Sequence, residues 1–230
     1  MLLAGASTSR ADEAGLYARH CAFCHGSEGA GDGPAAAHLP IPPADFTSGN
    51  FKLRSTPSGA MPTDEDLLLT ITRGIPGSGM PSLASLSIAE RRELMDTVKR
   101  LSLPRGGGRG YFESRPAGPV VVVPPRARAT AATVARGRKL YRVLACPSCH
   151  GEEGRGDGRA AADLRDYAGR ALPPTDFTLG IFKRGADPRG LYLEIATGLN
   201  GTPMAQYGDD VVKPQDRWAL VEYLLALVGK

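Results

Sequence analysis

The stretch CAFCHGSEGAGDG (residues 21–33) returns as CPSCHGEEGRGDG (residues 146–158). Each copy sets two cysteines three positions apart, places a histidine directly behind the second, and continues into a glycine-rich tail. The correspondence extends outward: PPADFTSGNFK (42–52) pairs with PPTDFTLGIFK (173–183), and LLLTITRGIPGSGMP (67–81) pairs with LYLEIATGLNGTPMA (191–205). Matched blocks in one order mark a duplicated domain. The copies differ in length at two places. The cysteine and DFT blocks are 20 residues apart from His25 to Asp45 but 26 apart from His150 to Asp176, whereas the step from Lys52 to Leu67 is 15 residues against 8 from Lys183 to Leu191. Loops absorb such length at little cost.

Between the copies, residues 102–132 carry five prolines, five arginines and three consecutive glycines, Gly106 to Gly108. That composition excludes a packed element for most of the segment and reads as a linker. The run Val120 to Val123 is the exception, either a short strand or an extended segment lying on one of the domains. The expected organisation is an N-terminal domain over 1–101, a Pro/Gly/Arg-rich linker over 102–132 and a C-terminal domain over 133–230.

Inside each copy the pattern is helical. Ser87 with Glu90 makes a capping box, with Leu86 placed as a staple, and Ile88, Leu94, Met95, Val98 and Leu101 follow at helical spacing. Thr63 with Asp66, and Asp187 with Pro188, start the preceding helix of each copy, and Gly74 and Gly198 stop it. Pro214 suits a first helical position, and a further helix runs into each cysteine motif, ending near Leu16 and Tyr17 or near Leu140 and Tyr141. Alternating strand patterns are scarce, so the fold class is all-α.

The 28 basic and 24 acidic residues give a net charge of +4. No dense basic stripe with interleaved aromatics occurs, which argues against a nucleic-acid partner and leaves docking to an acidic protein patch open. No apolar run reaches the roughly 18 residues needed to span a bilayer. The start, MLLAGASTSRA, lacks a basic n-region and a long enough apolar stretch for a secretion signal, and reads as a trimmed remnant or a tail.

The pentapeptides Cys21-x-x-Cys24-His25 and Cys146-x-x-Cys149-His150 place two thiols on one turn where they can bond the vinyl groups of a haem, with the next imidazole reaching the iron. A thioredoxin-like pair wants a βαβ setting. A shared Cys₄ zinc site needs two distant pairs to meet and leaves both histidines without a role. Two disulfides do not call for the repeated histidine. Two covalently attached haems account for all of it. A sixth ligand is supplied by the repeat itself, because Met80 and Met204 align and follow glycine-terminated helices, 55 and 54 residues after their histidines. Met61 is the rival in the first copy, 36 residues after His25 and without a counterpart. Met95 lies on a helix face, where packing explains it.

On these motifs the chain resembles the dihaem class I c-type cytochromes, two fused cytochrome c domains, over nearly everything except the tail and the linker. The resemblance implies thioethers from Cys21, Cys24, Cys146 and Cys149, proximal ligands His25 and His150, and distal ligands Met80 and Met204. It also implies that the first and last helices of each domain cross beside the haem, Leu94 and Val98 or Val221 and Leu224 making the contact. Haem attachment outside the cytoplasmic membrane implies a periplasmic protein. The expected function is outer-sphere electron transfer between respiratory redox partners, a membrane or periplasmic oxidoreductase or a terminal oxidase or reductase. The alternatives are a dihaem peroxidase with one displaceable ligand and a fixed electron-transfer subunit of a membrane complex. A thiosulfate-oxidising relative uses a distal cysteine, and all four cysteines here are already taken. His20 and His38 read as surface residues, the glycine-rich tails as turns, and Asp45-Phe46-Thr47 and Asp176-Phe177-Thr178 as capped turns. Lys52, Arg54, Lys183 and Arg184 read as partners of haem propionates or as solvated cations.

Overall fold

The computed structural model describes residues 10–230, with side chains from Gly15 onward, so the first nine residues, which hold most of the apolar start, lie outside the described residues. Among the described residues there are nine α-helices and no strand: α1 (Arg10–His20), α2 (Ala22–His25), α3 (Asp64–Arg73), α4 (Ile88–Leu101), α5 (Tyr111–Ser114), α6 (Ala131–Val143), α7 (Pro147–His150), α8 (Pro188–Thr197) and α9 (Pro214–Leu225). None is long and apolar enough to cross a membrane. The local signals act as expected. Thr63 Oγ1 accepts from Asp66 N while the Asp66 carboxylate accepts from Thr63 N, both at 3.1 Å, and Ser87 and Glu90 form the same reciprocal pair at the start of α4. Each pairing satisfies two N–H groups that a helix start leaves free, a contribution of about 1 kcal/mol. Both helices entering the cysteine motifs run past the tyrosines, to His20 and to Val143, because no glycine or proline stands between the tyrosines and those ends.

In each domain the first and last helices cross. In the N-terminal domain Leu16 and Tyr17 are buried in one cluster with Leu94 and Val98. In the C-terminal domain α6 and α9 approach so closely at Gly137 that a β-carbon there would land on the Ala219 carbonyl. Full burial of such leucine, valine or aromatic side chains stabilises by about 1.5–3 kcal/mol each.

Residues 102–132 are more ordered than their composition predicts. Helix α5 forms inside them, and Tyr111 and Phe112 pack on the N-terminal core, with Tyr111 N bonded to Ser102 O at 2.9 Å. Farther on, Val121 N donates to Ser55 O at 2.8 Å while Val121 and Val123 pack on the C-terminal core, and Trp218 Nε1 donates to Pro124 O at 3.1 Å. The valine run is therefore an extended segment touching both domains. Aromatic and valine side chains with apolar surface to bury outweigh the local glycine and proline signal.

The extra residues of each copy meet the other domain. Arg54, fully buried, donates from Nη2 to Thr197 O at 2.5 Å and from Nη1 to Gly198 O at 3.4 Å, capping the C-terminal end of α8. Ser58 N donates to Gln206 Oε1 at 2.6 Å. In return, Tyr167 donates its hydroxyl to Asp45 Oδ2 at 3.2 Å and Arg170 Nη1 lies 3.5 Å from Pro43 O.

Candidate metal centres

Each cysteine motif folds as a tight turn on the end of a helix. His25 N and His150 N both bond back to the carbonyl of the first cysteine, at 2.9 Å, and the tyrosine on the preceding helix ties the turn down from outside. Tyr17 donates to Gly26 O at 2.9 Å and Tyr141 to Gly151 O at 2.7 Å. One residue more separates tyrosine from cysteine in the second copy, and Ala145 absorbs it with φ 57°. The glycine-rich tail folds over the turn; a β-carbon on Gly33 or Gly158 would collide with the turn's own carbonyls. The tails are thus turns, as expected.

The two imidazoles are oriented alike. His25 Nδ1 lies 3.0 Å from Ala44 O and His150 Nδ1 lies 3.1 Å from Thr175 O. A carbonyl oxygen only accepts, so Nδ1 carries the proton and Nε2 keeps its lone pair. Burial pushes both histidines below their usual pKa, against the pull of that hydrogen bond, which keeps the rings neutral. Phe46 stacks on His25 with centroids 4.8 Å apart and Phe177 stacks on His150 at 4.6 Å. Those phenylalanines stand in the expected capped turns, where Asp45 and Asp176 accept from the backbone N–H of Thr47 and Thr178. Their contact with histidine had no sequence signal beyond the repeat of PPADF and PPTDF, because partners 21 and 27 residues apart follow no helical or strand period.

The methionines are held by one shared device. Ser78 Oγ donates to Ile75 O at 2.7 Å and accepts from Met80 N at 3.3 Å; Thr202 Oγ1 donates to Leu199 O at 2.8 Å and accepts from Met204 N at 3.1 Å. Ile75 N and Leu199 N then bond Met80 O and Met204 O at 3.1 and 3.0 Å. A hydroxyl two residues before the methionine, in GSGM and GTPM, is the readable signal. Met61 sits elsewhere, 1% exposed in the N-terminal core, its carbonyl accepting from Thr56 Oγ1 at 2.8 Å.

One continuous cavity brings these residues together across the two domains. Its lining includes Cys21, Cys24, His25 and Met80 from one copy and Cys146, Cys149, His150 and Met204 from the other, and it omits Met61. The rest of the wall is mainly leucine, isoleucine, proline and phenylalanine. Among the described residues no group of three or more His, Cys, Asp or Glu side chains has metal-holding geometry. No disulfide joins the four cysteines. Burial pushes Cys21 and Cys146 up to about 11, the reverse of what a thiolate-based redox pair needs. A flat apolar group with two thiol attachment points, one neutral imidazole and one thioether suits this donor set, and the set is present twice.

The four cations divide. Lys52 and Lys183 line the cavity, and burial lowers Lys52 from its usual value. Arg54 fits neither expectation, being neither solvated nor turned to the cavity: its donors are spent on backbone carbonyls of both domains, and burial, then Arg184, depresses it to about 10. Arg184 is buried 3.9 Å from Asp66 of the other domain. His38 is exposed, as expected; His20 is exposed and touches the cavity rim.

Comparison with known proteins agrees. Residues 134–227 match the cytochrome c family, and residues 9–96 match the family described as cytochrome C oxidase, cbb3-type, subunit III. A chain of the Kuenenia stuttgartiensis reducing HAO-like protein complex is 39% identical, with 94% of this chain and 96% of that one covered and a TM-score of 0.88. No curated protein matches the sequence. The chain belongs to the dihaem class I c-type cytochromes: it carries two covalently bound haem c groups, and its role is haem-based electron transfer.

Proposed function

We propose that this cytochrome passes single electrons between redox protein partners by outer-sphere transfer, each haem being held through Cys21, Cys24, His25 and Met80 or through Cys146, Cys149, His150 and Met204. The observation that carries this reading is that the two matching methionine turns and the two oriented, neutral histidines all line one shared cavity. Bound haem supplies the one-electron iron couple. Methionine sulfur is a weak, soft donor that favours the ferrous form, and an apolar wall solvates the extra ferric charge poorly, so both effects raise the potential. With histidine and methionine both engaged, the iron would offer substrate no open position. Because both donor sets line the same cavity, an electron entering at one domain has a route to the other inside the protein. The haem attachment this chain requires supports a periplasmic location, with a membrane or periplasmic oxidoreductase, or a terminal oxidase or reductase, as partner.

The test is the ferric spectrum of the purified protein with its potentiometric titration. The far-red band of iron bound by methionine sulfur should account for both haems and be halved by Met80→Ala or by Met204→Ala. A high-spin spectrum for one haem of the unaltered protein would favour a peroxidase instead. A second reading, a fixed subunit of a larger redox complex, is favoured by the likeness to a chain of the Kuenenia complex. Size exclusion of a native extract separates the two, since migration only as a monomer contradicts the subunit reading.

A further inference from the structure

We propose that Glu194 is a redox-linked proton site, taking up one proton when the haem of the C-terminal domain is reduced and releasing it on oxidation, with no counterpart at the other haem. The proposal rests on the haem being bound as above. Glu194 lies on α8 and lines the cavity, as do Leu191 and Ile195 of the same helix. Its Oε1 is out of solvent contact and has no hydrogen-bond partner. An unpaired carboxylate oxygen in an apolar wall is costly unless it is protonated or faces a cation. The nearby cations are incompletely matched to it: Lys183 donates to Thr175 Oγ1 at 2.6 Å, and Arg184 keeps Nε and Nη2 buried without partners while Asp66 stands 3.9 Å away. From α9 the cavity receives Leu220 and Leu224, which are apolar; across the domain boundary Lys52 interacts with Lys183 and with Asp166 and Arg170 of the C-terminal domain, and Arg54 interacts with Arg184. Burial raises the Glu194 carboxyl above its ordinary value, opposed by Lys183 and Arg184. The aligned residue in the N-terminal domain is Thr70, which lines the cavity but donates its hydroxyl to Asp66 O at 2.8 Å and does not titrate.

The step balances: ferric iron takes one electron from the redox partner, the Glu194 carboxylate takes one proton from solvent, and ferrous iron beside a neutral acid results. A carboxylate favours the ferric state and a neutral acid does not. The potential is therefore flat below both pKa values and above both, and falls with rising pH between them, in a window lying above the ordinary glutamate value of 4.5. Optical potentiometry of the full chain at a series of pH values should show two one-electron waves. The wave assigned to the C-terminal haem, by its displacement in Met204→His, should fall by up to about 59 mV for each tenfold loss of protons while the other stays flat. Glu194→Gln should flatten it. Equal slopes in both waves, or a slope that survives Glu194→Gln, would assign the proton to propionates and overturn the proposal. Should that variant fail to load haem, reduced-minus-oxidised infrared spectra of the unaltered sequence grown on carbonyl-labelled glutamate must show a label-shifted carboxylic band appearing on reduction; its absence overturns the proposal equally. Missing one or both haem waves in the unaltered protein would sink the ligation reading, and this one with it.

Discussion

The N-terminal domain carries its extra residues after the DFT turn, where Arg54 and Ser58 reach into the C-terminal domain, and the C-terminal domain carries its own before that turn, where Tyr167 and Arg170 reach back. Around the metal centres the copies are nearly superimposable in their bonding: the same tyrosine tie, the same histidine-to-carbonyl bond, the same hydroxyl under the methionine. Where the copies differ in length, they bind each other. The cores differ as well. The connecting segment gives the N-terminal core two aromatics, Tyr111 and Phe112, but gives the C-terminal core only Val121 and Val123 beside its own Tyr141, Tyr192, Trp218 and Tyr223, with Arg217 buried over Tyr192 at 4.9 Å.

The sharpest break in the likeness is the helix crossing. Gly137→Val should destabilise the C-terminal domain by at least about 3 kcal/mol, since its β-carbon meets backbone that cannot rotate away, and denaturant titration should show that domain unfolding first. Two methionines of the N-terminal domain can then be set against each other. Met61→Ala removes a buried core side chain and should cost about 2–5 kcal/mol while leaving the ferric spectrum unchanged; a changed spectrum would reinstate Met61 as ligand. At the domain boundary, Arg54→Met leaves the carbonyls of Thr197 and Gly198 without their donor. A loss of about 2 kcal/mol is expected, read as separation of one thermal transition into two. The surface pair Lys99–Asp64, 2.9 Å apart and partly exposed, joins α3 to α4 within one copy, and Lys99→Ala should change stability by only a few tenths of a kcal/mol.

The sequence makes local things legible. Thr63, Asp66, Ser87 and Glu90 announce their helix starts because capping needs only residues three apart, and the spacing from histidine to methionine singles out Met80 over Met61 because the repeat supplies an internal standard. What escapes is tertiary. Helix α5 has four residues, too few for a period, and it forms because Tyr111 and Phe112 find a core to dock on. Arg54 reads as a cation for solvent or propionate, and nothing nearby in the chain reveals that its acceptors lie 143 and 144 positions away. The length differences were visible, but their role depends on two domains facing each other.

Gly106, Gly107 and Gly108 have open space around them, while α5, immediately downstream, lies on the N-terminal core. Severing the chain at those glycines would therefore leave the downstream fragment holding a piece of the upstream domain's hydrophobic interior. The two halves would stay clasped, as a hinge pin stays in its barrel after the leaf is cut, and covalent continuity is then secondary to that embrace in keeping both walls of the shared cavity together.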